Sequence, residues 1–205
     1  MSVKVKICGL TNRADAEAAA AAGADLLGFI FAAASPRRLT VSAAADLTRE
    51  LPMHVVKVGV FVNPPDDLVR QAVGVCGLGF LQFHGDEAPA FCTQFGVRSM
   101  KAFRMRDAQS LRALPDYATD AWLLDTYAAK QAGGTGQTFN WDLAVAAREL
   151  GRPIFLAGGL TPANVADAVR RVRPFAVDVS SGVERSPGQK DHAKVAAFIQ
   201  AAKGA

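Results

Sequence analysis

Two side chains that can transfer protons stand where short apolar runs end. Cys8 follows Lys6-Ile7, and Asp125 follows Leu123-Leu124. A thiol whose pKa is lowered can serve as a general base, and burial favours the protonated form of a carboxyl group, which can serve as a general acid. Each residue also has a structural interpretation, as a small buried side chain for Cys8 and as a helix cap or turn for Asp125. Their positions alone leave both interpretations open.

Two glycine-rich turns are typical of anion-binding sites. One contains Gly158 and Gly159, and the other contains Ser180, Ser181 and Gly182. Glycine lets backbone N–H groups approach an anion closely, and the N-terminus of a helix favours negative charge. Glycine turns are common in proteins, so the prediction of a phosphate site depends on the two turns meeting in the fold.

Two further side chains could bind polar groups of a small molecule. Arg37 lies in Ser35-Pro36-Arg37-Arg38, and its guanidinium group can hold a carboxylate through two hydrogen bonds. The alternative for Arg37 is a solvated basic loop. His84, in Gln82-Phe83-His84-Gly85, can donate to an oxygen of a sugar or a carboxylate, and a purely structural histidine is the alternative.

The elements that must position these residues alternate along the chain. Eight short, mostly apolar runs predict parallel strands that are buried on both faces: Val3–Cys8, Asp25–Phe31, Val55–Phe61, Gly79–Phe83, Arg98–Phe103, Ala121–Asp125, Pro153–Ala157 and Phe175–Val179. Amphipathic segments between them predict helices: Arg13–Ala22, Ser42–Leu51, Pro65–Val73, Glu87–Phe95, Asp107–Leu114, Trp141–Leu150, Pro162–Arg171 and Asp191–Lys203.

This alternation predicts a single (β/α)8 barrel of the α/β class, also called a TIM barrel, over residues 1–205. Strict β-then-α order indicates a parallel sheet with helical crossovers, and eight units of about 26 residues indicate eight parallel strands in a closed barrel. An open, doubly wound sheet is the alternative. In a barrel the site lies where strands end, and phosphate binds after the seventh and eighth strands, which is where both glycine turns fall.

Nucleotide-binding motifs are missing from the sequence. No G-x-G-x-x-G follows the first strand, which argues against a dinucleotide fold. A third glycine-rich stretch, Gly133–Phe139, lacks the Gly-Lys-Ser/Thr ending of a P-loop. That stretch is either a mobile loop that closes over a site or a plain flexible connection.

Composition narrows the classes of function further. The 205 residues carry a net charge of +4, and half of them are apolar, as in an ordinary globular protein. The basic residues are scattered, so no nucleic-acid partner is expected, whereas a mild positive excess suits an anionic small molecule. The cysteines Cys8, Cys76 and Cys92 are odd in number and form no C-x-x-C pair, which argues against a disulfide framework and a zinc site.

Neither a signal peptide nor a membrane span is indicated. Lys4 and Lys6 interrupt the apolar residues near the N-terminus, unlike the apolar core of a signal peptide. The alanine-rich stretch over residues 14–34 contains Asp15, Glu17 and Asp25, which a membrane-spanning helix would not carry. We therefore expect a protein of the reducing cytoplasm that has no membrane partner.

Segments along nearly the whole chain closely resemble motifs of the phosphoribosylanthranilate isomerase family. They occur in this order: Lys6-Ile7-Cys8-Gly9, Ser35-Pro36-Arg37, Val58-Gly59-Val60-Phe61, Gln82-Phe83-His84-Gly85, Leu124-Asp125, Gly133-Gly134-Thr135-Gly136, Ala157-Gly158-Gly159-Leu160, and Asp178-Val179-Ser180-Ser181-Gly182-Val183-Glu184, which continues into Pro187-Gly188-Gln189-Lys190-Asp191. The first and last of these together are highly specific. Phe83 departs from the smaller aliphatic residue expected at its position, which puts nothing catalytic in doubt.

The resemblance implies an Amadori rearrangement that needs neither a cofactor nor a metal. N-(5-phosphoribosyl)anthranilate, a small phosphorylated substrate, would become 1-(2-carboxyphenylamino)-1-deoxyribulose 5-phosphate in tryptophan biosynthesis. By match to the family motifs, Asp125 is the general acid that protonates the furanose ring oxygen. Cys8 is the general base that removes the C2′ proton of the resulting iminium ion.

The same resemblance implies how the substrate is bound. Arg37 would face the carboxylate of the anthranilate, and His84 and Asp178 would lie near the sugar and the amine. The turns at Gly158-Gly159 and Ser180-Ser181-Gly182 would hold the phosphate.

Two other functions compete with this one. Another phosphosugar isomerase could use the same barrel, but the related enzyme of the histidine pathway would be expected to carry an aspartate in place of Cys8. A catalytically silent, metabolite-binding barrel would need neither Cys8 nor Asp125. Whether the chain is a monomer or a homodimer stays open.

Lys6 is expected to influence Cys8. Residues two apart in a strand share a face, so Lys6 points into the barrel if Cys8 does. A buried ammonium group needs a carboxylate partner, for which Asp178 is the candidate. The charge of Lys6 would favour the Cys8 thiolate and lower its pKa. The alternative is a purely structural ion pair.

Overall fold

The chain forms a closed barrel of eight parallel strands in a computed structural model that describes residues 2–126 and 141–205. The strands are β1 (Lys4–Cys8), β2 (Leu26–Ile30), β3 (Val56–Phe61), β4 (Phe80–Phe83), β5 (Ser99–Met105), β6 (Ala121–Thr126), β7 (Ile154–Leu156) and β8 (Ala176–Val179). Each pairs with the next, and β8 pairs with β1 to close the barrel. The predicted (β/α)8 barrel is confirmed. The Gly133–Phe139 stretch lies outside the described residues.

Helices cover the outside of the barrel. They are α1 (Arg13–Ala21), α2 (Val41–Thr48), α3 (Asp66–Cys76), α4 (Pro89–Thr93), α5 (Trp141–Arg148), α6 (Val165–Val172) and α7 (His192–Lys203). Local capping fixes several starts, because the side chains of Asn12, Thr40 and Asp191 accept hydrogen bonds from backbone N–H groups in the first turns of α1, α2 and α7. Within the described residues, no helix combines the length and the apolarity that a membrane span requires.

The connection between β5 and β6 differs from the prediction. It is a 3-10 helix, Ala108–Asp116, instead of the α-helix predicted over Asp107–Leu114. Pro115 lies inside this segment and lacks the N–H that an α-helix would use there. Leu114 is its one buried residue, so little packing is available to stabilise a longer regular helix.

The start of α6 also differs from the prediction. The sequence places this start at Pro162, whereas the helix begins at Val165. The side chain of Asn164 accepts a hydrogen bond from the N–H of Thr161, which holds a separate turn ahead of the helix.

Alternation along the strands creates two apolar cores. Outward side chains such as Ile7, Leu81 and Leu124 pack against the helices. A smaller inner cluster fills the barrel: Leu26, Val58, Phe80, Met100, Ala102, Ala121, Leu123, Phe155, Ala157 and Ala176. Buried polar side chains interrupt the apolar interior on β1, β4 and β8, and this is where the site begins.

Candidate active site

One cavity at the carboxyl ends of the strands gathers every site residue singled out in the sequence. It has a volume of about 380 Å³. Those ten residues are Cys8, Arg37, His84, Asp125, Gly158, Gly159, Asp178, Ser180, Ser181 and Gly182. The rest of the lining is Ile30, Val60, Gln82, Ala157, Leu160 and Val179. The two proton-transfer candidates and the two glycine turns therefore face the same space.

Glycines make room for Cys8 and its neighbours in the cavity wall. Gly28 lies opposite Cys8 in the register of β1 and β2, and a Cβ atom at Gly28 would stand 2.8 Å from the Cys8 Sγ. Gly9 has a φ of +75°, which lets the chain leave the strand at once, and a Cβ there would stand 2.5 Å from Cδ of Arg37. Both positions need glycine because the thiol and the guanidinium occupy the space beside them.

Lys6 and Asp178 form a buried ion pair beneath Cys8. The Lys6 Nζ lies 2.9 Å from Oδ1 of Asp178, and the lysine side chain is 0% exposed. Burial lowers the pKa of Lys6, but the negative charge of Asp178 and the interaction with Cys8 outweigh burial and leave this pKa raised. The predicted pairing of Lys6 with Asp178 is confirmed, and Lys6 carries its charge next to the thiol.

The thiol of Cys8 does not have the lowered pKa that the sequence suggests. Burial raises the pKa of Cys8, Lys6 lowers it, and Asp178 raises it again, so that it ends above its ordinary value. The expected lowering of the thiol pKa is therefore wrong, because the enclosure of Cys8 outweighs the charge of Lys6.

Replacing Lys6 with methionine is expected to raise the pKa of the Cys8 thiol further. The change removes the cation that favours the thiolate and leaves Asp178 beside it without its partner. The measurement is the pH dependence of Cys8 alkylation by a small reagent, in a background where Cys76 and Cys92 are replaced by alanine.

Lys4→Met is the matched control for this variant. Lys4 lies two residues earlier on β1, is half exposed, and pairs with Asp25 at the other end of the barrel. It should leave the alkylation profile of Cys8 unchanged. An unchanged profile in a folded Lys6→Met protein would reduce Lys6 to a structural role.

Asp125 stands at the mouth of the barrel in contact with His84. Its Oδ2 lies 3.4 Å from Nε2 of His84, and its side chain is 30% exposed. The carboxyl group of Asp125 therefore reaches the open part of the cavity. The other ring nitrogen of His84, Nδ1, lies 3.0 Å from Nε2 of Gln82.

Arg37 is held by an acid from the far end of the chain. Its Nε and Nη2 donate to the two oxygens of Glu184 at 2.7 and 2.5 Å, and the Nζ of Lys190 donates to the same carboxylate at 2.8 Å. Burial raises the pKa of Glu184, but the hydrogen bonds from Arg37 and Lys190 outweigh burial and lower it to about 2. Arg37 is therefore not a solvated loop residue. Its Nη1 makes no hydrogen bond within the described residues.

The two glycine turns touch each other. Gly158 and Gly159 have φ angles of 82° and 66°, a region that other residues rarely adopt. Gly182 passes so close to the carbonyl oxygen of Leu160 that a Cβ atom could not fit. The hydroxyl group of Ser180 is buried and has no hydrogen-bond partner within the described residues. These features leave backbone and hydroxyl donors at one side of the cavity.

Sequence reasoning about the site missed Gln82, Glu184 and Lys190 as individual residues. A signal for Gln82 was available, because it is the one polar residue of the apolar run over β4 and shares a face with Phe80. Glu184 and Lys190 belong to a short hairpin of β9 (Glu184–Ser186) and β10 (Gln189–Lys190) that follows β8. The contact of Glu184 with Arg37 joins positions 147 residues apart, which no local pattern predicts.

Comparison with known proteins gives one consistent result. The family described as N-(5'phosphoribosyl)anthranilate (PRA) isomerase matches residues 5–201. A protein of Geobacter sp. (strain M21), named N-(5'-phosphoribosyl)anthranilate isomerase, is 54% identical over 200 residues, which are 98% of each chain.

Solved structures give the same match. The crystal structure of phosphoribosyl anthranilate isomerase from Thermotoga maritima has a TM-score of 0.91 and 40% identity, and covers 99% of this chain and 100% of its own. A phosphoribosyl anthranilate isomerase in complex with reduced 1-(o-carboxyphenylamino)-1-deoxyribulose 5-phosphate has a TM-score of 0.88 and 38% identity, with the same coverage.

Proposed function

The chain belongs to the N-(5'-phosphoribosyl)anthranilate isomerase family, and on that premise we propose how the residues of its cavity divide the reaction between them. The chain converts N-(5'-phosphoribosyl)anthranilate to 1-(2-carboxyphenylamino)-1-deoxyribulose 5-phosphate in tryptophan biosynthesis. The observation that carries the proposal is the presence of Cys8 and Asp125 in one cavity, beside a pair of glycine turns. An aldose-to-ketose isomerisation needs one acid and one base on a small polar substrate.

The phosphate is bound by the turns after β7 and β8. Backbone N–H groups around Gly158, Gly159 and Gly182 can approach an anion because these residues carry no side chain of their own. The buried hydroxyl group of Ser180, which has no partner within the described residues, supplies a further donor. The phosphate therefore fixes one end of the substrate at the β7–β8 side of the barrel.

Asp125 opens the sugar ring. Its carboxyl group gives a proton to the furanose oxygen, the bond from C1′ to that oxygen breaks, and the nitrogen lone pair forms an iminium ion at C1′. The contact with His84 steadies the carboxylate that this step leaves behind.

Cys8 takes the proton from C2′. Burial raises the pKa of this thiol, so the thiolate that the step requires must be favoured by nearby positive charge. The positive charge of Lys6, and then the iminium ion, favour that thiolate. Removal of the C2′ proton gives an enolamine, which tautomerises to the ketone product when C1′ gains a proton and the 2′-hydroxyl group loses one.

The two remaining polar residues orient the anthranilate and the amine. Arg37 binds the anthranilate carboxylate through Nη1, because Glu184 holds its other side. Asp178 uses Oδ1 for Lys6, so its second oxygen can accept a hydrogen bond from the amine or a hydroxyl group of the sugar.

The test of this function is turnover of freshly prepared substrate, followed by the loss of anthranilate fluorescence. The purified chain should show saturable turnover that does not change on treatment with a chelator. A folded chain that binds a product analogue but shows no turnover would leave a silent, metabolite-binding barrel as the better description.

The phosphate position leads to a prediction about inhibition. Inorganic phosphate or sulfate should compete with the substrate, and a structure with a product analogue should place the phosphate between the two glycine turns, with N–H donors at about 2.7–3.2 Å. A phosphate found beside Arg37 would reverse the proposed orientation of the substrate.

We also propose that residues 1–205 act as one domain in the cytoplasm. The three cysteines are free thiols, as suits a reducing compartment. Whether the chain acts as a monomer or a homodimer is decided by its mass in solution.

A further inference from the structure

Gln82 is a buried amide that the steps described above do not use. It lies on β4, is 2% exposed, and lines the cavity together with His84 and Asp125. Its Nε2 lies 3.0 Å from Nδ1 of His84, and Nε2 of the same ring lies 3.4 Å from Oδ2 of Asp125. The three side chains form a line of polar contacts that ends on the proposed acid.

The carbonyl oxygen of the Gln82 amide, Oε1, has no hydrogen-bond partner within the described residues. Its register neighbours, Val60 on β3 and Met100 on β5, have apolar side chains that offer no donor. A buried oxygen without a hydrogen-bond partner destabilises a folded protein. Because the Gln82 amide lines the cavity, its oxygen is suited to accept a hydrogen bond from a ligand.

We propose that Gln82 is a positioning residue for the acid step and that its amide oxygen binds a donor of the substrate, a role that rests on the proposed function. An amide N–H only donates, so Nδ1 of His84 must accept, and the hydrogen of the neutral ring then lies on Nε2, towards Asp125. As Asp125 releases its proton it gains negative charge, and this Nε2–H, 3.4 Å away, can then donate to the carboxylate. With the hydrogen on Nδ1, the ring would instead turn a lone pair towards the carboxylate.

The fold indicates which part of the substrate meets Gln82. In the closed order of eight strands, β4 lies across the barrel from β8, after which the phosphate is bound. Gln82 therefore faces the end of the sugar that is remote from the phosphate. The donors at that end are the amine N–H and the 2′-hydroxyl group, and one of them occupies the amide oxygen.

The first measurement is the tautomer of His84 in the wild-type chain without substrate. Nitrogen NMR of the histidine-labelled protein, recorded under alkaline conditions where the ring is neutral, distinguishes the two tautomers. The signals of His84 are identified by their loss in a His84→Asn variant. We expect the hydrogen on Nε2. A hydrogen on Nδ1 would overturn the proposal without any Gln82 variant.

The second measurement uses two substitutions of Gln82. Gln82→Met keeps the length of the side chain but removes both polar groups, so a mixture of tautomers, a kcat lower by about tenfold and a raised KM are expected. Gln82→Glu, when ionised, offers only acceptor oxygens, so it should restore KM while the hydrogen moves to Nδ1 and kcat stays low.

Gln71→Met is the matched control, because Gln71 lies on the exposed side of α3. It should change neither the tautomer nor the kinetics, and thermal unfolding confirms that each variant is folded. A folded Gln82→Met protein with a single Nε2–H tautomer or with wild-type kcat would overturn the positioning role. Absence of turnover in a wild-type chain that has the expected tautomer would refute the proposed function instead.

Discussion

The Cys8→Ala variant is expected to lose turnover almost completely while it still binds a product analogue. Alanine provides no group that can take the C2′ proton, and general bases contribute typically about 10²–10⁴-fold to rate. The reduction should lie at the upper end of this range, because the cavity offers no other thiol. The measurement compares kcat by fluorescence with the dissociation constant of the analogue.

Three variants make this experiment specific. Cys8→Ser should retain only a trace of activity, since a hydroxyl group is a much weaker base than a thiol at neutral pH. Cys76→Ala and Cys92→Ala are the matched controls, because both residues are buried outside the cavity. Burial also raises the pKa of the Cys92 thiol to about 12, so this thiol is a poor candidate for a base. Near-normal turnover by Cys8→Ala would disprove the assignment of the base.

The Asp125→Asn variant is expected to lower kcat by about 10²–10⁴-fold, the usual contribution of a general acid. The amide has the size of the carboxyl group but cannot deliver a proton to the ring oxygen. The loss should therefore appear in kcat, with the affinity for a product analogue unchanged. Steady-state kinetics and analogue titration together measure both quantities.

Asp116→Asn is the control for this second variant. Asp116 is exposed at the end of the 3-10 helix, away from the cavity, and its loss should change nothing. If Asp125→Asn kept full turnover but bound the analogue weakly, Asp125 would be a binding residue and another group would have to open the ring.

The fold could be predicted because the patterns that indicate its strands and helices are local in the sequence. Parallel strands buried on both faces appear as short apolar runs such as Leu26–Ile30, and the helices between them carry their own caps. Eight repeats of that unit close into a barrel, and a barrel places the ends of its strands together. That is why Cys8 and Asp125 could be assigned to one cavity from sequence alone.

What the sequence could not supply depends on distance and enclosure. The pKa of Cys8 is raised because the barrel encloses the thiol completely, which no local pattern indicates. The contact of Arg37 with Glu184 forms only when the barrel closes. The 3-10 form of Ala108–Asp116 depends on how little of that segment is buried. The free oxygen of Gln82 is visible only once its neighbours on β3 and β5 are known.

The contacts between the two ends of the chain also set the order in which the enzyme becomes active during folding. Lys6 and Asp178 are 172 residues apart, and Arg37 and Glu184 are 147 residues apart. Both contacts can therefore form only after β8 has joined the barrel. Closing such long loops is slow compared with forming the local β-α units. A chain that is still being synthesised can therefore hold most of its strands and helices and yet have no site. The rate at which activity returns after refolding should therefore measure the pairing of β8 with β1, which closes the barrel and completes the active site.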